Sequence, residues 1–310
     1  MSQKSVKAKI RGVEKTRQVT KAMEAVSAAK MRKAQERALS LRPYAISALR
    51  ILTRIGGDRE SLRHPLLIDG KGKNVLFIIL VSDRGLAGSL NSGVLRKVSA
   101  TIKAEGFTKD TVEIIALGKK AIEFSKKEGL TIILERSGIP DAVPLKTLEE
   151  AATLAKERFL KGEVKKVYIA YSNFVSTFFQ EGIVHTLLPL QLEEVRQVVE
   201  GIVPVKGKYS DFFIQTTDTE VTETRPYLFE PSLTSVLDTL LSHFLSLLLF
   251  HGALEGKASE HSARMVAMKS AGDKAKEMKK ELVRAYNKVR QGAITREVSE
   301  IIGGIEALKV

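Results

Sequence analysis

The stretch of this chain with the clearest potential for chemistry is Ser82-Asp83-Arg84-Gly85-Leu86-Ala87-Gly88-Ser89-Leu90-Asn91. It follows an apolar run and precedes a helical pattern, the place where an α/β protein can hold a phosphate on the free amides of a helix N-terminus. Its glycines lack the GxGxxG spacing, and no lysine follows Gly88 as a phosphate clamp requires. A structural strand-to-helix turn is therefore preferred over a nucleotide site. The histidines at 64, 185, 243, 251 and 261 show neither HExxH nor paired metal-ligand spacing. Serines are plentiful, but no GxSxG elbow is present and no carboxylate pair marks a pocket. The absence of cysteine excludes disulfides, thiolate nucleophiles and Cys-based metal centres. The expectation is a chain with no catalytic, cofactor-binding or metal site.

Charge is the second source of chemistry. The net charge of +14 implies a negatively charged partner, whether nucleic acid, an anionic membrane or an acidic protein surface. Residues 1–54 hold fourteen Lys and Arg against only Glu14, Glu24 and Glu36, so this segment carries most of the excess.

The elements that must position these groups fall into three blocks. Ser2 to Arg54 reads as one helix with a narrow apolar stripe at Val6, Ile10, Val13, Val19, Met23 and Val26. It would reach about 75 Å, with a kink at Pro43 and an end at Gly56-Gly57. From about Pro231 to the C-terminus, Leu254, Ala258, His261, Met265, Met268, Ala275, Met278, Leu282, Ala285 and Val289 step mostly by four and three, the seam of a coiled coil, with Ala271 or Gly272 bridging its one gap. Glycines 252, 256, 272 and 292 weaken a helix, which predicts close packing at those points. Between the ends, apolar runs at Val75–Val81, Thr111–Leu117, Leu130–Leu134 and Lys165–Tyr171 alternate with helical patterns at Ser89–Ala104, Lys119–Lys127 and Leu145–Lys161. Ile183–Leu190 reads as an antiparallel return strand, and Gln191–Thr224 as loops with short strands.

The fold expected is thus α/β: a long antiparallel coiled coil of the N- and C-terminal helices with an inserted Rossmann-like α/β domain. The boundaries expected are 1–56, 57–228 and 229–310. No signal or transit peptide is visible, so the start reads as mature. Phe244–Phe250 is too short to span a bilayer, which needs about 20 apolar residues, and reads as buried helix.

Several motifs carry a resemblance. Thr20-Lys21-Ala22-Met23-Glu24-Ala25-Val26-Ser27-Ala28-Ala29-Lys30-Met31-Arg32-Lys33-Ala34, followed by Arg42-Pro43-Tyr44, resembles the N-terminal helix of the gamma subunit family of F-type ATP synthases. Residues Ser259-Glu260-His261-Ser262-Ala263-Arg264-Met265-Val266-Ala267-Met268 and the stretch from Tyr286 to Glu297 are similar to that family's C-terminal helix. Ser82–Asn91 resembles its central motif, and Tyr227–Asp238 the start of its long helix. Arg296 and the strongly apolar Phe244–Phe250 run depart from the usual family pattern, and Gln191–Thr224 has no residue-level match.

The resemblance implies a bacterial central stalk, a rotary shaft that couples proton or sodium flow through a membrane ring to ATP synthesis by partner subunits. Its partners would be the alpha and beta subunits, the epsilon subunit and the c-ring, with no cofactor, no nucleic acid and no membrane span of its own. The location implied is peripheral, on the cytoplasmic side of the cell membrane. The residues implied to touch the alpha/beta ring are Met23, Arg32, Lys33, Arg264, Arg290, Gln291, Thr295, Glu297 and Glu300. Tyr227 and Glu230 would form the foot on the membrane ring. Two alternatives stay open: a basic coiled-coil protein that binds nucleic acid, and an α/β enzyme with helical arms that binds nucleotide at Ser82–Asn91. A basic helix paired within its own chain presents charge on all its outer sides, which suits a collar of acidic protein better than one side of a duplex.

Overall fold

The computed structural model describes residues 3–41, 43, 44, 47, 51, 64–191, 230 and 232–307. The elements are α1 (Gln3–Ser40), β1 (Asn74–Leu80), α2 (Leu90–Ala104), β2 (Val112–Leu117), α3 (Lys119–Glu128), β3 (Thr131–Arg136), α4 (Leu145–Leu160), β4 (Val164–Phe174), β5 (Gln180–Leu188) and α5 (Leu233–Ala307). The chain divides into two compact units, one of residues 1–28 with 264–310 and one of residues 29–263.

In the larger unit, a five-stranded sheet has the order β3-β2-β1-β4-β5. The first four strands are mutually parallel and β5 returns antiparallel to β4. The first three strands progress outward in one direction and β4 is added on the other side of β1, the doubly wound pattern expected from the alternation of runs. Because side chains alternate along a strand, β1 feeds two cores. Leu76, Ile78 and Leu80 face a layer that includes Leu148, Ala152 and Phe159 of α4 and Leu241, Phe244 and Leu248 of α5. Val75, Phe77 and Ile79 face Val94 and Val98 of α2 and Ala121 of α3. Burial on both faces is why β1 and β2 read as unbroken apolar runs rather than alternating ones.

The Phe244–Phe250 segment, expected as buried helix, lies in this core, with Phe244 and Leu249 fully buried. Helix α5 does contain a window long and apolar enough to cross a membrane by length and composition. The burial of Leu237, Leu241, Leu245, Leu248 and Leu254 accounts for that apolarity through packing in this chain.

Helix α1 spans Gln3–Ser40, and Leu41 N donates to Ala38 O at 3.3 Å in a tightened last turn, just before the kink expected at Pro43. Pro43 has no N–H for the helix and disfavours helical backbone in the residue before it. Beyond it, helical backbone recurs at Pro43, Tyr44, Ser47 and Ile51. The expected end at Gly56-Gly57 and the loops at 192–224 lie outside the described residues.

The smaller unit contains the antiparallel pairing of α1 with α5. Gln3 Nε2 donates to the Tyr286 hydroxyl at 3.1 Å, Glu14 meets Lys279 at 3.0 Å, and a side chain on Gly272 would meet Thr20 Oγ1 at 3.2 Å. The partner's number falls as the α1 number rises, which fixes the direction. The seam differs in part from the apolar stripe. Val6, Thr20 and Ser27 are buried, while Val19 and Val26 are 58% and 55% exposed. Val6, Val13, Thr20 and Ser27 are seven apart, so they return to one line of the helix, whereas Val19 and Val26 lie about 100° away from it. On α5 the line continues through Gly272, Ala275, Lys279, Leu282, Tyr286 and Val289. Met278 and Ala285, expected in the seam, are exposed because the four-three register established by Met268 and Gly272 passes through their neighbours.

Candidate functional site

The turn after β1 is built by its own polar side chains. Ser82 is buried, its N–H donates to Asn91 Oδ1 at 3.1 Å, and Asn91 Nδ2 donates back to Ser82 Oγ at 2.8 Å. Asp83 reaches the other side: Oδ1 accepts from Lys119 N at 2.8 Å and Oδ2 from Gly138 N at 3.0 Å. Lys119 begins α3, so the first amide of that helix is held by Asp83. Gly118, just before it, has φ of 111°, and any side chain there would collide with the Val81 carbonyl oxygen. The cavity beside this turn, lined by Ser82, Asp83, Asn91, Ser172, Lys257 and Glu260 among others, has a volume of about 40 Å³. The motif is a staple joining β1, α2, α3 and the loop after β3, as its glycine spacing indicated. Among the described residues, no cluster of three or more His, Asp or Glu could hold a metal ion.

Function has to be sought on the outer surface of the paired helices. In the smaller unit, Val19, Val26, Met278, Ile294, Val298, Ile301 and Ile302 are all exposed large apolar residues. Ile294, Val298, Ile301 and Ile302 return to one side of α5 by the helix period. They are interspersed with Arg290, Arg296, Glu297 and Glu300, also exposed. Uncovered apolar side chains among charged ones distinguish this surface from a purely polar helix face.

Of the residues implied to touch a ring, Met23 is half-buried beside the seam and Arg32 and Lys33 are exposed. Arg264 is buried, with 8% of its surface accessible. Arg290, Gln291, Thr295, Glu297 and Glu300 are exposed along the last turns of α5, where Thr295 Oγ1 donates to Gln291 O at 3.0 Å. Glu230 is exposed, and Tyr227 lies outside the described residues.

Three groups were not singled out by their sequence neighbourhood. Glu14 accepts from Arg17 and meets Lys279, and these hydrogen bonds, Arg17 first, bring its carboxyl down to about 2. Glu255 on α5 is partly buried, and desolvation raises its carboxyl to about 7 even though Oε2 accepts from Phe174 N at 2.9 Å. His251, one turn away, is buried, and desolvation lowers its pKa to about 4, which keeps the ring neutral. Glu14 and Lys279 could have been paired had the four-three register been extended through polar residues. Nothing local marks Glu255 or His251, since each depends on the sheet that covers it.

A family model described as ATP synthase matches residues 2–308. The ATP synthase gamma chain of Cupriavidus necator is 37% identical over 305 residues, which cover 98% of this chain and 99% of that protein. The ATP synthase gamma chain of Pelotomaculum thermopropionicum is 36% identical over 308 residues, covering 99% of each. Among solved structures, a chain of the Euglena gracilis mitochondrial ATP synthase OSCP/F1/c-ring aligns over 99% of this chain and 94% of its own, with a TM-score of 0.62 and 19% identity. A chain of the rotor from the same organism's enzyme aligns over 94% and 98%, with a TM-score of 0.57 and 20% identity. These likenesses establish a shared fold.

Proposed function

Because the chain belongs to the ATP synthase gamma chain family, we propose that it is the central rotary shaft of a bacterial F-type ATP synthase, coupling proton or sodium flow through a membrane ring to ATP synthesis by other subunits. The observation that carries this reading is the outer surface of the helical pair: apolar residues of α1 and α5 stay uncovered among charged ones, as a shaft inside a collar requires. The chain does no chemistry itself. It belongs to a membrane-associated complex, on the cytoplasmic side of the cell membrane.

The partners are the alpha and beta subunits around the helical pair, the epsilon subunit, and the c-ring at the foot. Met23, Arg32 and Lys33 meet the ring at one level, where the buried Arg264 leaves little surface for contact, and Arg290, Gln291, Thr295, Glu297 and Glu300 meet it at another. Tyr227 and Glu230 seat on the c-ring. Rotation has an effect only because each shaft orientation binds the ring's conformations with different free energies. Two helices with unlike side chains present a different surface in each direction, so turning them changes which catalytic subunit is favoured.

Co-expression with alpha and beta subunits tests this. A stable complex containing all three chains is expected, with ATP hydrolysis driving rotation of a bead fixed to this chain. A chain that stays alone and shifts DNA mobility with steep salt dependence would support the nucleic-acid reading instead.

A further inference from the structure

The loop between β3 and α4 grips both long helices, and most of that grip passes through one residue. Asp141 Oδ2 lies 2.9 Å from Lys30 Nζ on α1, and Asp141 Oδ1 lies 2.9 Å from His261 Nε2 on α5. The backbone oxygen of Asp141 accepts from Arg37 Nη1, again on α1, at 3.1 Å. Two residues earlier, Ile139 O accepts from Lys257 Nζ on α5 at 3.0 Å. The loop is tied to the sheet as well, since Gly138 N donates to Asp83 and Val143 is buried in the sheet–helix core. Val143 has φ of 47°, a conformation costly for a β-branched residue, so the surrounding contacts hold the loop in a shape it would not choose alone.

Burial raises the Asp141 carboxyl, but hydrogen bonding from Lys30 and the charge of His261 outweigh it and leave the group below the ordinary carboxylate range. Charge-assisted bonds of this kind are the stronger and more directional ones. Two such bonds from opposite oxygens of one carboxylate fix α1 and α5 to a common point.

We propose that Asp141 is a positioning residue for rotary coupling, through which the α/β layer holds α1 and α5 together and passes torque to and from them. This rests on the shaft reading above. Arg37 and Lys257 act with it on backbone oxygens of the same loop, and His261 and Lys30 are its side-chain partners.

The test is torsional stiffness in the assembled complex, read from the thermal angular fluctuations of a bead fixed to this chain, alongside ATP-driven ion pumping per ATP hydrolysed. Asp141→Ala removes two of the four grips described, so stiffness is expected to fall about twofold, with pumping falling more than hydrolysis. Asp141→Asn keeps the volume and removes the charge, and it decides the matter if the alanine variant does not assemble. Asp141→Glu keeps the charge and is expected to recover most of the stiffness. Unchanged stiffness in Asp141→Asn overturns the proposal, as does an Asp141→Glu variant as soft as Asp141→Asn. Failure of the shaft reading would look different, because the wild-type chain would then be missing from the complex.

Discussion

Glu14 Oε2 on α1 lies 3.0 Å from Lys279 Nζ on α5, while Arg17 Nη2 holds the other carboxylate oxygen at 2.7 Å. The contact between the helices at this level is therefore an ionic cluster rather than an apolar layer. Such a cluster specifies register better than it adds stability, since exposed ion pairs are screened by water and salt.

This cluster has an acid-labile signature. Glu14 is depressed to about 2, so its contribution is present above the ordinary carboxylate range and is lost as pH falls toward that value. Thermal melts of the full chain at about pH 6 and about pH 3 check it: Glu14→Gln should lose less stability on acidification than the wild type.

Glu255 has the opposite sign. Its carboxyl is raised to about 7, so the fold is favoured while the group is protonated, and the cost grows as pH rises from the unfolded value of 4.5 to about 7. Glu255→Gln retains an acceptor for Phe174 N and removes the charge. At about pH 8 it should stabilise the chain by on the order of 2–3 kcal/mol, shrinking toward zero near pH 4. A denaturant titration at both pH values reads the difference.

The helix glycines separate by environment. A side chain at Gly252 would sit 3.1 Å from Ile169 Cδ1 and Tyr171 Cδ1, while one at Gly292 meets nothing within 4 Å. Gly252→Val should destabilise the full chain by about 1–3 kcal/mol through overpacking. Gly292→Ala should stabilise it by about 0.5–1 kcal/mol through helix propensity. Equilibrium unfolding of both variants gives the comparison.

Residues 295–302 are all exposed, so removing the chain beyond Ile294 takes away little packing made by those residues. The truncated chain should keep its melting temperature within a few degrees, because surface changes cost about 0.5 kcal/mol or less. Rotation rate in the assembled complex should fall, and full turnover by the truncation would remove contact roles for Thr295, Glu297 and Glu300.

Much of this protein is set by local pattern. Strands β1 and β2 are continuous apolar runs that can only be buried on both faces, and the helices between them carry one-sided stripes, so a doubly wound sheet follows. The heptad from Leu254 to Met268 and the excess of Lys and Arg before Arg54 identify paired, basic ends. Tertiary structure alone decided which residues lie on the seam. Hydrophobicity selects Val19, Val26 and Met278, but the seam runs through Thr20, Ser27 and Lys279, since the partner helix rather than side-chain polarity sets the angle. It also decided the close approach at Gly252 and the open space at Gly292, two positions alike in sequence context. Last, it brought Asp141 to Lys30 and His261, 111 and 120 positions away in the chain. Composition and period are short-range properties and can be read along the chain. A carboxylate shared between two distant helices depends on how the sheet and its loops place them, which no local pattern encodes.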